Sequence, residues 1–449
     1  MGGSAFSPAL HTPRMPPQVY RHVRDDVHRK LRTLFKHVST PIEAAAKVDY
    51  GDVDVLVYEE MPWTEEWRGS ETGIAEALAS FLEAKVYKRD KGSDEIHFAL
   101  PWPENIMDEL SSSERDLSQS LKKSSLETTT DSSPLQPRFI QLDLHICPSL
   151  RVYAWQTFRC AHGDFWTIVG SVVRRYGLSF RNSGFYIRIS DVEKVNKRLS
   201  LVKLSAEPRE VLNFLFNKGA EQRFWKTDAF SSMEEMCDFI RLQCRFYYPL
   251  KEKEEVEEIA EDAEAPVRKK DRTSIVKRGV FRYWLEDYVP GHSPGDREKD
   301  LKGEYAGMKR EEVAEMVKEK FNVKKEYEEN QKVGLRQMDV EGLWSDIRSI
   351  ISLPERSVDG AHGPGLEVNF VLRTIRRKVS REAIGLKDEA LDEVQCKYRE
   401  GRFEEVKIWA EKNWKEVAGK KVAENEEKSR IHYKAKMERV AAEAAAKEK

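Results

Sequence analysis

The stretch DVDVLVYEE, Asp52 to Glu60, limits what this chain can become more than any other part of it. Side chains alternate along a strand, so Val53, Val55 and Val57 face one way while Asp52 and Asp54 face the other. A segment patterned for burial therefore carries two carboxylates side by side, and burial sharpens their repulsion. A divalent cation resolves the conflict, because Mg²⁺ prefers carboxylate oxygens and neutralises both. Two solvated aspartates on an edge strand have the same pattern, so the pair alone leaves both readings open.

A second segment narrows the choice. In RFIQLDLHIC, Ile140, Leu142, Leu144 and Ile146 share one face, and Gln141, Asp143 and His145 share the other. If this strand pairs with the first, Asp52, Asp54 and Asp143 converge. Three such carboxylates suit two metal ions roughly 3.5–4 Å apart, one activating an attacking hydroxyl and one holding phosphates.

The surrounding pattern is mixed. Residues 17–36 space Val19, Val23, Val27, Leu31 and Leu34 at helical intervals. SETGIAEALASFLEAKVYK carries a second stripe, Ile74, Leu78, Phe81 and Leu82, and EIHFALPWP reads as a strand ended by prolines. GDFWTIVGSVVRRYGL predicts a helix closed by Gly177, with Asp164 at its N-cap. SGFYIRISDVEKVNKRL predicts a strand leading into a helix.

This gives an α/β (α+β) core of mixed sheet and flanking helices over 17–190, after a disordered stretch 1–16. Within the core, 109–137 is rich in Ser and Thr and lacks aromatics, so it reads as a disordered insert. An α-rich substrate-binding segment follows at 191–250, then a charged linker at 251–274, a mostly helical region at 275–420 and a charged Ala/Glu/Lys helical tail at 421–449.

Helix, loop, GDVDVLV, helix, strand and IQLDLHI together resemble the catalytic core of the polymerase-beta-like nucleotidyltransferases. YGDVDVLV, QLDLHICPS and HGDFWTIVGSVVRRYGL resemble a eukaryotic and viral subgroup of that superfamily, and the resemblance spans Pro17–Ile189. It implies that Asp52 and Asp54 are the paired metal-binding acids and Asp143 the third catalytic and metal-binding acid. It also implies Mg²⁺ or Mn²⁺ as the cofactor and a nucleoside triphosphate as substrate. The superfamily places a Gly-Ser pair before the acids to hold the triphosphate. Here HVSTPIEAAAK stands there instead, with Ser39 and Thr40 as the candidate hydroxyls and no glycine for close backbone approach.

Other groupings have competing readings. Arg174 and Arg175 close a helix, either as favourable C-terminal charge or as a triphosphate clamp. His145, Cys147, Cys160 and His162 form a mirrored pattern that can be drawn as a zinc site or read as reduced, partly buried thiols. His162 and Asp164 are further candidates for substrate contact. Arg373, Arg376 and Arg377 lie near one helix face, either solvated or facing RNA.

Composition excludes more than it selects. With 76 Lys+Arg against 78 Asp+Glu, the net charge of −2 names neither nucleic acid nor an anionic membrane as partner. The 449 residues suit roughly two or three folded units. Five unevenly spaced cysteines and no membrane-length apolar run point to an intracellular protein, cytoplasmic or nuclear. The arginine-bearing, acid-free start leaves a mitochondrial destination as the alternative.

The expected function is transfer of a nucleotidyl group to a hydroxyl acceptor: an RNA end, a protein or a small molecule. The rivals are an inactive scaffold that binds RNA or protein, and a glycosyltransferase using its Asp-x-Asp pair.

Overall fold

The structure is a computed structural model that describes residues 3–61, 73–90, 93–103, 137–226, 229–248, 279–292, 303–351, 368–380 and 389–447. The Ser/Thr-rich insert falls almost wholly outside these residues, and the charged linker lies entirely outside them. The architecture is mixed α/β, divided into two units.

The first unit spans Met1–Arg188 and Leu201–Lys324. Its main sheet comprises β1 (Phe35–Ser39), β2 (Asp52–Glu60), β3 (Val86–Lys88), β4 (Glu95–Pro101) and β5 (Phe139–Ile146), in the order β1-β2-β5-β4-β3. β2 and β5 run parallel, and every other neighbour is antiparallel. Helices α1 (Pro17–Leu31) and α2 (Gly73–Phe81) cover one face of this sheet. Val53, Val55, Val57, Ile96, Phe98, Ile140, Leu142 and Leu144 pack there against Val19, Tyr20, Val27 and Leu78. The period-2 pattern of both acidic strands is thus spent on a single core, which pins their register.

The opposite face is partly covered by α3 (Leu150–Cys160), which lies over the β1 edge. Tyr153 meets His37 and Tyr58 there, with ring centroids 5.7 and 6.5 Å away. Ser149 caps α3 by accepting from the Val152 N–H at 3.2 Å. Helix α4 (Phe165–Arg174) follows, and Gly177 closes its end with φ +80° and an N–H donated to the Arg174 carbonyl at 2.8 Å. A three-stranded antiparallel sheet of β6 (Leu178–Arg181), β7 (Gly184–Arg188) and β8 (Leu201–Ser205) also belongs to the first unit.

The second unit takes Ile189–Ser200 and Lys325–Lys449. Its helices close around Trp344, Ile347, Val371, Ile375, Val406 and Trp414. Gly334 admits the 189–200 segment: a Cβ there would stand 2.3 Å from Val192.

Several expectations are corrected. Residues 1–16, read as disordered, are packed from residue 3 onward. Phe6 and Met15 are buried, and the Met15 N–H donates to the Tyr50 carbonyl at 2.7 Å. The core does not end at 190, because β8 pairs with β7 after the chain has made an excursion into the second unit. Residues 191–250 are therefore not one α-rich segment, and residues 303–324 of the expected helical region belong to the first unit. Phe81 does not join the α2 stripe. It is exposed, and Ala75 and Ala79 face the core instead. Among the described residues, no helix is long and apolar enough to cross a membrane.

Candidate functional site

The sheet's second face carries a grid of polar side chains set by strand register. One row runs Asp54, Asp143, His97 and Lys88 across four strands. The row beside it runs Asp52 and Gln141, and the row on the other side runs Leu56, His145 and Glu95. The three sequence-predicted acids thus share a face, with Asp54 directly opposite Asp143 on parallel strands.

Asp143 is buried to 7% exposure and is tied on several sides. Its carboxylate accepts from Gln141 Nε2 at 2.9 and 3.0 Å, and His97 Nδ1 lies 2.7 Å from Oδ1. Burial raises its pKa above the ordinary carboxylate value, against the opposing pull of His97 and Gln141. Asp143 leans toward β4. The three aspartates do not gather their oxygens into one tight set, whereas two carboxylate oxygens of Glu95 and Asp143 and a ring nitrogen of His97 lie within 4.8 Å of one another.

Asp54 opens into a cleft of about 150 Å³, walled by Glu43, Lys47, Leu56, His145, Gln156 and Cys160 among others. Water reaches its side chain, yet protein crowds it on most sides. Burial first, then the charges of Asp52, Asp143 and Glu43, push its pKa up to about 7, while Lys47 works against them. Asp52 accepts the Gly3 N–H on Oδ2 at 3.1 Å, and the Ala5 N–H donates to Gln141 Oε1 at 2.8 Å. The amino-terminal segment therefore forms the wall of the site beside Asp52.

The sign of a stability effect follows. Asp54 titrates near 7 in the fold against an ordinary 3.8. The folded state holds this proton more tightly, so stability from the protonated form is present at acid pH and is lost as pH rises from about 4 through 7. In metal-free protein, Asp54→Asn is expected to stabilise at pH 8 and to do little at pH 4. Solvent access to the group limits the gain to about 1 kcal/mol. Melting in the presence of a chelator at both pH values measures it, and an equal or lower Tm at pH 8 would oppose the stated cause.

The loop from Pro41 to Lys47 brings Glu43 and Lys47 to the cleft. Glu43 accepts from the Tyr20 hydroxyl, and Lys47 Nζ donates to it at 2.7 Å. Tyr20 stacks on Tyr50 with ring centroids 3.8 Å apart. Across the cleft, His162 (φ 61°) donates its backbone N–H to the Ile42 carbonyl at 2.7 Å. At Gly163 (φ +63°), an added Cβ would stand 2.7 Å from the Ala44 Cβ. Gly163→Ala is expected to cost about 1–3 kcal/mol through backbone strain and displacement of this loop. A thermal melt with unchanged midpoint would contradict that role.

The remaining expected site residues lie elsewhere. Ser39 Oγ sits 3.3 Å from Thr157 Oγ1, and Thr40 Oγ1 sits 2.8 Å from His28 Nε2, so both hydroxyls are engaged within the protein. Arg174 and Arg175 end α4 away from the acids. The Arg175 guanidinium lies 4.4 Å from the Tyr248 ring in a separate groove with Lys309 and Arg310. The mirrored His/Cys pattern does not assemble. His162 is fully buried with Nε2 2.8 Å from the Phe224 carbonyl, which also removes it from substrate contact, and burial pushes the Cys147 and Cys160 thiols up to about 11. Asp164 stands at the N-cap of α4 without a side-chain cap bond.

Glu43, Lys47, Glu95 and His97 were not singled out as site residues from the sequence. For Glu95 and His97 the signal was present: in EIHFALP they alternate with Ile96 and Phe98, as Asp143 alternates with its apolar neighbours.

The fold and the site define a mixed α/β protein with an acidic, histidine-bearing cleft on the open face of a five-stranded sheet. No protein-family model matches the chain, and no curated protein is significantly similar to it.

Proposed function

We propose that the chain is a metal-dependent nucleotidyltransferase with the polymerase-beta-like fold. It would move a nucleotidyl group from a nucleoside triphosphate to a hydroxyl acceptor, with release of pyrophosphate. The reading rests on one observation above all: Asp54 stands in register with Asp143 on parallel strands, with Asp52 one row away on the same open face.

The donor set fits Mg²⁺ or Mn²⁺: burial first, and then repulsion from Asp52, Asp143 and Glu43, lift Asp54 to about 7, and a cation held by carboxylate oxygens would offset both. Asp52 and Asp54, with Asp143, would hold the cation, which supplies Lewis acidity for the acceptor hydroxyl and charge neutralisation for phosphate oxygens. Asp143, steadied by Gln141 and His97, would orient the acceptor hydroxyl and accept its proton. Lys47, in the same cleft, would offer the triphosphate a cation. The acceptor is an RNA end, a protein side chain or a small molecule.

A second reading has its own support. With the Ser39 and Thr40 hydroxyls tied inward and no glycine beside them, the triphosphate lacks its usual cradle. That favours an inactive scaffold that keeps the fold to bind RNA or protein.

Pyrophosphate release separates the two. The purified protein is offered each nucleoside triphosphate with Mg²⁺ or Mn²⁺ and bulk cellular RNA, alongside Asp52→Asn. Release by the native chain and not by the variant supports the transferase. Equal silence from both, with RNA binding intact in both, supports the scaffold.

A further inference from the structure

We propose that Glu95, His97, Asp143 and His145 form a second cation site, one that takes a first-row transition metal of the Zn²⁺ class. This goes beyond the transferase reading, with which it shares Asp143, the His97 that steadies it, and His145 in the wall of the Asp54 cleft.

Register supplies the geometry. On the antiparallel pair of β4 and β5, Glu95 stands opposite His145 and His97 opposite Asp143. All four residues lie on the face away from the core, because Ile96, Phe98, Leu142 and Leu144 occupy the other. The result is a square in which carboxylate and imidazole alternate. Three of its edges are short: His97 Nδ1 to Asp143 Oδ1 is 2.7 Å, His145 Nε2 to Glu95 Oε1 is 3.5 Å, and His97 Nδ1 to Glu95 Oε1 is 3.9 Å, so His145 joins the set through Glu95. Ligand atoms of Glu95, His97 and Asp143 lie within 4.8 Å of one another, and a side-chain adjustment of a few tenths of an ångström would bring all three to the ~2.0–2.2 Å per ligand of a single ion.

Donor chemistry selects the metal. Two imidazoles with two carboxylates suit zinc and its transition-metal neighbours, whereas Mg²⁺ and Ca²⁺ favour all-oxygen sets. The site has an outer support, since Gln141 Nε2 holds both Asp143 oxygens and so orients that carboxylate. It also has an entry path, with side-chain exposures of 26% at His97, 34% at His145 and 36% at Glu95. The cation in the same row, Lys88, is turned to the Ala5 carbonyl and the Phe6 ring. Two histidine–carboxylate ion pairs are the competing account of this square, and they would show no preference among metals.

The test is equilibrium dialysis of the full chain against Zn²⁺, with Mg²⁺ in excess, followed by elemental analysis. The expected result is one zinc ion per chain, with affinity lowered at least about 10-fold by His97→Ala and by His145→Ala. Glu95→Gln, at a side chain open to solvent, provides a second variant that preserves shape, and it is expected to weaken zinc as well. Cys147→Ser with Cys160→Ser is expected to leave zinc binding unchanged. Absence of stoichiometric zinc in the native chain, or undiminished binding in the His97 and His145 variants, would overturn the proposal. Because dialysis reads binding and not turnover, either outcome is independent of whether the protein transfers nucleotides.

Discussion

Asp54→Asn is expected to lower metal-dependent pyrophosphate release by about 100–1,000-fold, the loss typical of removing one electrostatic stabiliser of a transition state. The substitution keeps size and shape but removes the charge that stands between Asp52 and Asp143 on the open face. In metal-free protein the same change relieves repulsion, so the variant is expected to be at least as stable as the native chain at pH 8. Activity and stability thus move in opposite directions. A merely structural role for Asp54 would move them together, which makes a paired assay and melt informative. Loss of both would contradict the assignment.

Trp166→Ala carries the largest expected effect on stability. Trp166 is 1% exposed, with the rings of Phe158, Phe180 and Phe165 at 4.3, 4.7 and 5.0 Å. Its indole N–H donates to the Phe158 carbonyl at 2.8 Å. Truncation empties a large volume between aromatic neighbours that cannot collapse together, and it leaves that carbonyl without its indole donor. The expected cost is about 3–5 kcal/mol, a large share of the ~5–15 kcal/mol that typically holds a domain together. Because α3 and the His162 turn rest on this cluster, zinc and nucleotide binding should fall with the fold. Denaturant unfolding measures the loss, and a shift below about 1 kcal/mol would mean that the aromatic cluster tolerates a cavity there.

How legible the fold was depended on how strongly each element alternated. β2 and β5 were readable because Val53, Val55 and Val57, and Ile140, Leu142 and Leu144, repeat with period two against polar residues. β1, β3, β6 and β8 were not, being only three to five residues long, too short for alternation to stand out. The unit boundary was hidden for a different reason. β8 returns to the first unit after residues 189–200 have packed with distant helices, a long-range event with no local signature. Phe6 and Met15 are apolar residues in an otherwise Pro-rich run, and their burial depends on tertiary contacts no local pattern encodes.

The site divides in the same way. Asp52, Asp54 and Asp143 stood out because charge on a strand built for burial requires a reason. Glu95 and His97 obey that same rule, but a strand read only for its apolar face conceals its other side. Glu43 and Lys47 sit on a loop whose place is set by Tyr20 and by the His162 N–H, both remote in sequence. Ser39 and Thr40 were chosen by resemblance alone, and the fold gives their hydroxyls to Thr157 and His28.

Direct titration of the native chain with nucleoside triphosphates, with and without Mn²⁺, tests the central claim most simply. The account expects nucleotide to bind only when the metal is present, and that binding to disappear in Asp52→Asn and Asp54→Asn. Nucleotide binding that ignores the metal or survives both substitutions would contradict it, as would no binding at all.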